Sequence, residues 1–69
     1  MISKDALRVK MKAVSKRTCK NAYDEVLFQE GKVYEIVDID SKRIWVLNEL
    51  HTETPCREAL FSENFDIQK

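Results

Sequence analysis

His51 is the chain's single histidine, and it stands beside Thr52, Glu53 and Thr54, with Cys56 and Ser62 further along. An imidazole that takes a proton from the Cys56 thiol or the Ser62 hydroxyl, oriented by a carboxylate, would make a nucleophilic centre. Nearness in sequence supplies no hydrogen-bond geometry, however, and a histidine in a polar loop is expected to be exposed and idle. Cys19, His51 and Cys56 are also three metal-binding side chains, but a structural zinc takes four and the close CxxC or HxxxH spacing is absent. Asp38 and Asp40 sit in turn-forming sequence, where solvated turn chemistry is their ordinary role. No catalytic set, metal or cofactor is expected, and no small-molecule substrate.

Charge offers a stronger lead. Residues 1–20 carry seven bases and one acid, whereas residues 21–69 carry five bases and eleven acids, so a net charge of zero hides a +6 and a −6 segment. A basic arm of this kind can hold an anionic partner. The preferred reading is neutralisation on folding, with the basic strand lying against acidic neighbours. In the alternative, the chain binds nucleic acid through its basic first strand and the long loop after it. Arg8, Lys10 and Lys12 would then follow phosphates, with Trp45 as a stacking platform worth about 1–3 kcal/mol per base. The acidic remainder would repel a duplex, and Trp45, inside an apolar run, reads first as core. Protein binding fits better. Lys16, Arg17, Lys20 and Tyr23 crowd one polar loop, and exposed loops and strand edges of small β-domains recruit partners in recurring ways.

With 69 residues the chain reads as one domain, able to bury roughly 60% of its unfolded surface. Such a size leaves little room for the deep, dry pocket that small-molecule enzymes need. An apolar content of 43% suits a folded chain. No secretion signal is legible at the start and no apolar run nears the ~20 residues that span a membrane. A cytoplasmic protein with reduced Cys19 and Cys56 is expected.

The elements that position these residues are mostly strands. Leu7, Val9, Met11 and Ala13 alternate with Arg8, Lys10 and Lys12, the period of a half-buried strand with its bases facing solvent; residues 1–6 read as a loose lead. Residues 15–24 read as the longest loop. Val26, Leu27 and Phe28 anchor the chain before a turn at Gln29, Glu30 and Gly31, the only glycine. Residues 32–39 are rich in β-branched and aromatic side chains, but their apolar positions do not alternate cleanly, as in a strongly bent strand that changes which face it buries. Residues 38–42 supply turn chemistry, and residues 43–47 are the partner strand. Residues 48–55 read as a polar connection with Pro55 at a strand start or an edge. Residues 56–61 then read as a short strand, residues 62–64 as a single helical turn capped by Ser62, and residues 65–67 as the last strand. Tyr34, Ile36, Val46, Phe61 and Phe65 are the expected core. Five short strands with one helical turn before the last make a small, mostly β barrel.

Three stretches, EGKVYEIVDID (residues 30–40), IWVLNE (44–49) and ALFSENFDI (59–67), are similar to the small SH3-like barrel proteins encoded by bacteriophages and prophages. The likeness spans most of the chain from Val9 onward. It departs in the lead before Val9 and in ETPCREA (residues 53–59), which is more charged than the matching strand usually is. The resemblance implies a five-stranded SH3-like barrel and a non-enzymatic accessory factor that docks on a bacterial host protein and modulates it. That family has no shared catalytic motif, so no functional residue carries over.

Overall fold

The computed structural model describes residues 7–68, and the lead expected over residues 1–6 lies outside them. The chain is mostly β. Its elements are β1 (Lys12–Ser15), β2 (Cys19–Lys20), β3 (Val26–Phe28), β4 (Val33–Ile39), β5 (Arg43–Leu47), β6 (Glu53–Arg57), α1 (Glu58–Asn64) and β7 (Phe65–Ile67). Five strands form a curled antiparallel half-barrel in the order β6-β5-β4-β1-β7, and β2 pairs with β3 in a separate hairpin.

The central pair, β4 and β5, matches the sequence reading, including its bend. Ile36 faces Val46, but Asp38 rather than Val37 faces Trp45, so one extra residue is accommodated on β4. Such a bulge turns the strand and re-aims its side chains, which explains the broken alternation. Asp40 holds the turn. Its Oδ1 accepts the backbone N–H groups of Lys42 at 2.8 Å and Arg43 at 2.7 Å. Gly31, with φ 84°, forms the other tight corner and donates its N–H to the Ser15 carbonyl at 2.8 Å; positive φ is cheap only for glycine.

The core lies on the concave face. Ala13, Tyr34, Ile36, Ile44, Val46, Cys56, Phe61 and Phe65 are buried there, joined by Leu7 and Phe28. Phe28 stands edge-on to both Tyr34 (ring centroids 4.9 Å) and Phe65 (5.0 Å), and Phe65 stacks on Phe61 at 5.1 Å. These separations fall within the favourable range for aromatic pairs.

Four expected segments are corrected. The first strand begins at Lys12, not Leu7. Lys10 adopts φ 76°, and its N–H donates to the Ile36 carbonyl while Ile36 donates back to Met11. Two residues thus meet one across the ladder, a bulge that swings Val9 outward to 49% exposure and leaves Leu7 and Ala13 inside. The loop at residues 15–24 contains β2 and half of a hairpin. The strand expected at 56–61 lies earlier, as β6, because the tight turn bonding Asn48 N–H to the Thr52 carbonyl sets Leu47 opposite Glu53. Since β5 starts at Arg43, opposite Arg57, residues beyond Arg57 have no strand to pair with. They coil instead into α1, which absorbs the expected turn at 62–64. Glu58, Ala59 and Leu60 are good helix formers, and the residue preceding the helix is Arg57, so Ser62 is not its cap. A helix this short does not stand alone; buried Phe61, stacked on Phe65, holds it down.

Trp45 is the other correction. Ile44 and Val46 point into the core, so strand alternation sends Trp45 to the outer face, where it is half-buried and its Nε1–H donates to Asp40 Oδ2 at 3.0 Å. That bond, ahead of the two backbone N–H groups, holds the Asp40 carboxyl below its ordinary pKa.

Candidate functional site

The β2–β3 hairpin presents the most exposed aromatic of the described residues, Tyr23, 84% exposed at its tip. The tip is well specified. Asn21 Oδ1 accepts the N–H groups of Tyr23 (2.9 Å) and Glu25 (3.1 Å), its Nδ2 donates to Glu25 Oε1 (3.0 Å), and Asp24 takes φ 64°. Asparagine is suited to this, because its short side chain substitutes for a backbone acceptor in a tight turn. The base is fixed too: Phe28 enters the core, Cys19 and Leu27 pack against it, and the Leu27 carbonyl accepts the N–H of Glu49 at 2.8 Å. An aromatic side chain on a structured tip loses little conformational freedom when a partner covers it.

The four loop residues are only partly brought together. Lys20 lies on β2 beside the tip, its ammonium 3.2 Å from Asp24. Lys16 turns the other way, donating to the Ser62 carbonyl at 3.1 Å and lying 3.5 Å from Asp66 on β7. Arg17 is exposed at the bend between β1 and β2, where its carbonyl accepts the Ser15 hydroxyl. Of the nucleic-acid set, Arg8 and Lys10 are exposed on the bulge leading into β1, Lys12 pairs with Glu35 at 2.6 Å, and Trp45 shares the outer face of the sheet. Among the described residues, Lys12, Lys16 and Lys20 each meet an acid from the later part of the chain.

Between the pairs Lys12–Glu35 and Lys32–Glu49 runs an open groove of about 420 Å³, with Val33, Leu47 and His51 in its lining. The Tyr34 hydroxyl, also at the groove, accepts the Gln29 N–H at 2.7 Å and donates to Glu49 Oε1 at 2.8 Å, and Lys32 donates to that same oxygen at 3.1 Å. Burial raises the Tyr34 pKa. The hydrogen bond from Tyr34, and then that from Lys32, holds the Glu49 carboxyl below its ordinary value; Lys12 does the same for Glu35. Sequence reading placed Tyr34 in the core but missed Glu49. A buried tyrosine needs a partner for its hydroxyl, and that was the available signal.

Carboxylates whose pKa is depressed by folding stabilise the protein above their unfolded pKa, and that contribution is lost as pH falls through the folded value. Stability is therefore expected to decline below the ordinary carboxylate range through Glu35, Asp40 and Glu49. Tyr34→Phe should flatten the part due to Glu49, a difference measured by urea unfolding of both proteins across an acid pH series. Equal slopes would show that the Tyr34–Glu49 bond does not form.

His51 is exposed on the β5–β6 turn with φ 62°, whereas Cys56 faces the core, where burial pushes its thiol up to about 11, above the range of reactive thiolates. Ser62 is on α1. Among the described residues no helix is long and apolar enough to cross a membrane. Compared with family models, curated proteins and solved structures, the chain matches none.

Proposed function

We propose that this chain is a non-enzymatic binding protein, a small barrel of the SH3-like type that docks on a bacterial host protein as a phage or prophage accessory factor. The observation that carries the reading is Tyr23, a bare aromatic held at the tip of a structured hairpin beside Lys20. Tyrosine and arginine are the side chains most often found at the energetic centre of an interface, and Arg17 lies on the approach to the same hairpin. The neutralisation of Lys12, Lys16 and Lys20 by acids of the same chain weighs toward a protein partner rather than a polyanion. The SH3-like assignment and the phage context rest on the resemblance of residues 30–40, 44–49 and 59–67.

The tagged protein, used as bait in bacterial lysate with and without nuclease, should retain one host protein at stoichiometric level in both conditions. Tyr23→Ala should weaken that retention by about tenfold or more while leaving the circular dichroism spectrum unchanged. Charge reversal of Arg17 together with Lys20, which lies beside the hairpin tip, should weaken it further. Retention indifferent to all three changes would place the interface elsewhere, and retention lost with nuclease would replace the protein partner by nucleic acid.

A further inference from the structure

β6 is an edge strand: β5 pairs with one side of it, and no strand of the described chain pairs with the other. The hydrogen-bond phase of the β5–β6 ladder is known from its turn, where Asn48 N–H donates to the Thr52 carbonyl at 2.9 Å. Hydrogen-bonded pairs recur at every second residue of an antiparallel ladder, so Val46↔Thr54 and Ile44↔Cys56 are bonded pairs. Glu53, Pro55 and Arg57 are the intervening residues, and their backbone groups point away from the sheet. With any other residue at position 55, this row would be an uninterrupted template for another strand. Pro55 offers no N–H, and its ring occupies the space into which a neighbouring carbonyl would come.

The side chains along this edge are self-complementary. In a second copy related by a two-fold axis through Pro55, Glu53 of each chain would lie opposite Arg57 of the other. That register uses the whole extended stretch, which cannot lengthen: His51 has φ 62° and α1 begins at Glu58. Arg57 also faces Arg43 across the β5–β6 ladder, a like-charge pair that an opposing carboxylate would relieve. Among the described residues, Glu53, Arg43 and Arg57 form no ion pair. We propose that the β6 edge is a charge-matched docking surface for a second copy of this chain, held shut by Pro55. A two-fold pairing of this kind is closed, because each copy spends the same edge on the other.

Sedimentation equilibrium of the full chain tests this. The wild type should remain monomeric. Pro55→Val, which restores the N–H and favours a strand, should associate reversibly at least about tenfold more tightly than wild type. Adding Glu53→Arg should return it to monomer, because arginines would then meet across the axis. Adding Arg57→Glu as well should restore the dimer. A natively folded Pro55→Val chain that stays monomeric would overturn the proposal, as would wild-type association of equal strength or indifference to the charge reversals. If Pro55→Val does not fold, Pro55→Thr is measured in its place. Failure of both to fold would mean that Pro55 serves the monomer's own strand, which also overturns the proposal.

Discussion

Phe65→Ala is expected to cost about 3–5 kcal/mol, nearly all that a single core of this size supplies. Phe65 is 1% exposed and sits where three elements meet, edge-on to Phe28 of β3 and stacked on Phe61 of α1, with its own backbone opposite Ser15 of β1. Truncation removes the ring against which α1 is held, and α1 is too short to persist without it. The hairpin loses a support as well, because Phe28 anchors its base through the same ring. In urea titrations followed by circular dichroism, the alanine variant should be largely unfolded without denaturant. Phe65→Leu, which refills most of the space, should cost less than about 1.5 kcal/mol and keep the native spectrum. A folded alanine variant with little loss of stability would mean that the three-ring cluster does not hold β7 and α1 in place.

How legible these contacts were depended on how densely the local sequence committed itself. β4 and β5 are long enough, and rich enough in β-branched residues, for their pairing to be read directly, and the disorder in their alternation signalled a bend, which β4 makes through a bulge. The inner side chains Tyr34, Ile36, Val46, Phe61 and Phe65 were legible for the same reason. At the first strand the same logic misled. Leu7 to Ala13 alternates well on paper, yet Lys10 enters the left-handed region, which a period-two pattern cannot reveal. β2 is two residues long, too short for any periodicity, so residues 15–24 read only as a loop. Residues 58–61 read as the end of a strand and form the start of α1 instead. The decision came from outside them: β5 has no residues left to pair beyond Arg43. Within the candidate site, Tyr23 and Lys20 were legible as exposed loop residues. The departure of Lys16 toward Ser62 and Asp66 was not, because it depends on β7 returning beside β1.

Asn48→Ala is expected to cost about 2–3 kcal/mol, the loss of a buried side chain that satisfies several polar groups at once. Asn48 is 5% exposed at the end of β5. Its Oδ1 accepts the N–H groups of Leu50 (2.9 Å) and Thr52 (3.1 Å), and its Nδ2 donates to the hydroxyls of Thr52 (2.8 Å) and Thr54 (2.7 Å). Through these bonds one side chain shapes the turn in which His51 is left-handed, and the turn in turn sets the β5–β6 register. The adjacent Glu49 binds the Leu27 carbonyl and the Tyr34 hydroxyl, so a loosened turn also frees β3 and the base of the Tyr23 hairpin. Alanine leaves two backbone N–H groups and two hydroxyls without their partner. Asn48→Asp keeps the acceptor for both N–H groups, and the two hydroxyls can rotate to donate to it, so its cost should fall well below that of alanine. Urea unfolding of both variants measures the difference, and amide exchange locates it: in Asn48→Ala the amides of Leu50, Thr52 and Glu49 should lose protection before those of β4. Equal costs for alanine and aspartate would mean that Asn48 acts by filling space. Faster exchange confined to the turn would mean that the hairpin base stands without it. The predicted coupling instead joins a buried amide at the end of β5 to the hairpin that carries Tyr23, so Asn48→Ala should also weaken partner capture without altering any residue of the exposed surface.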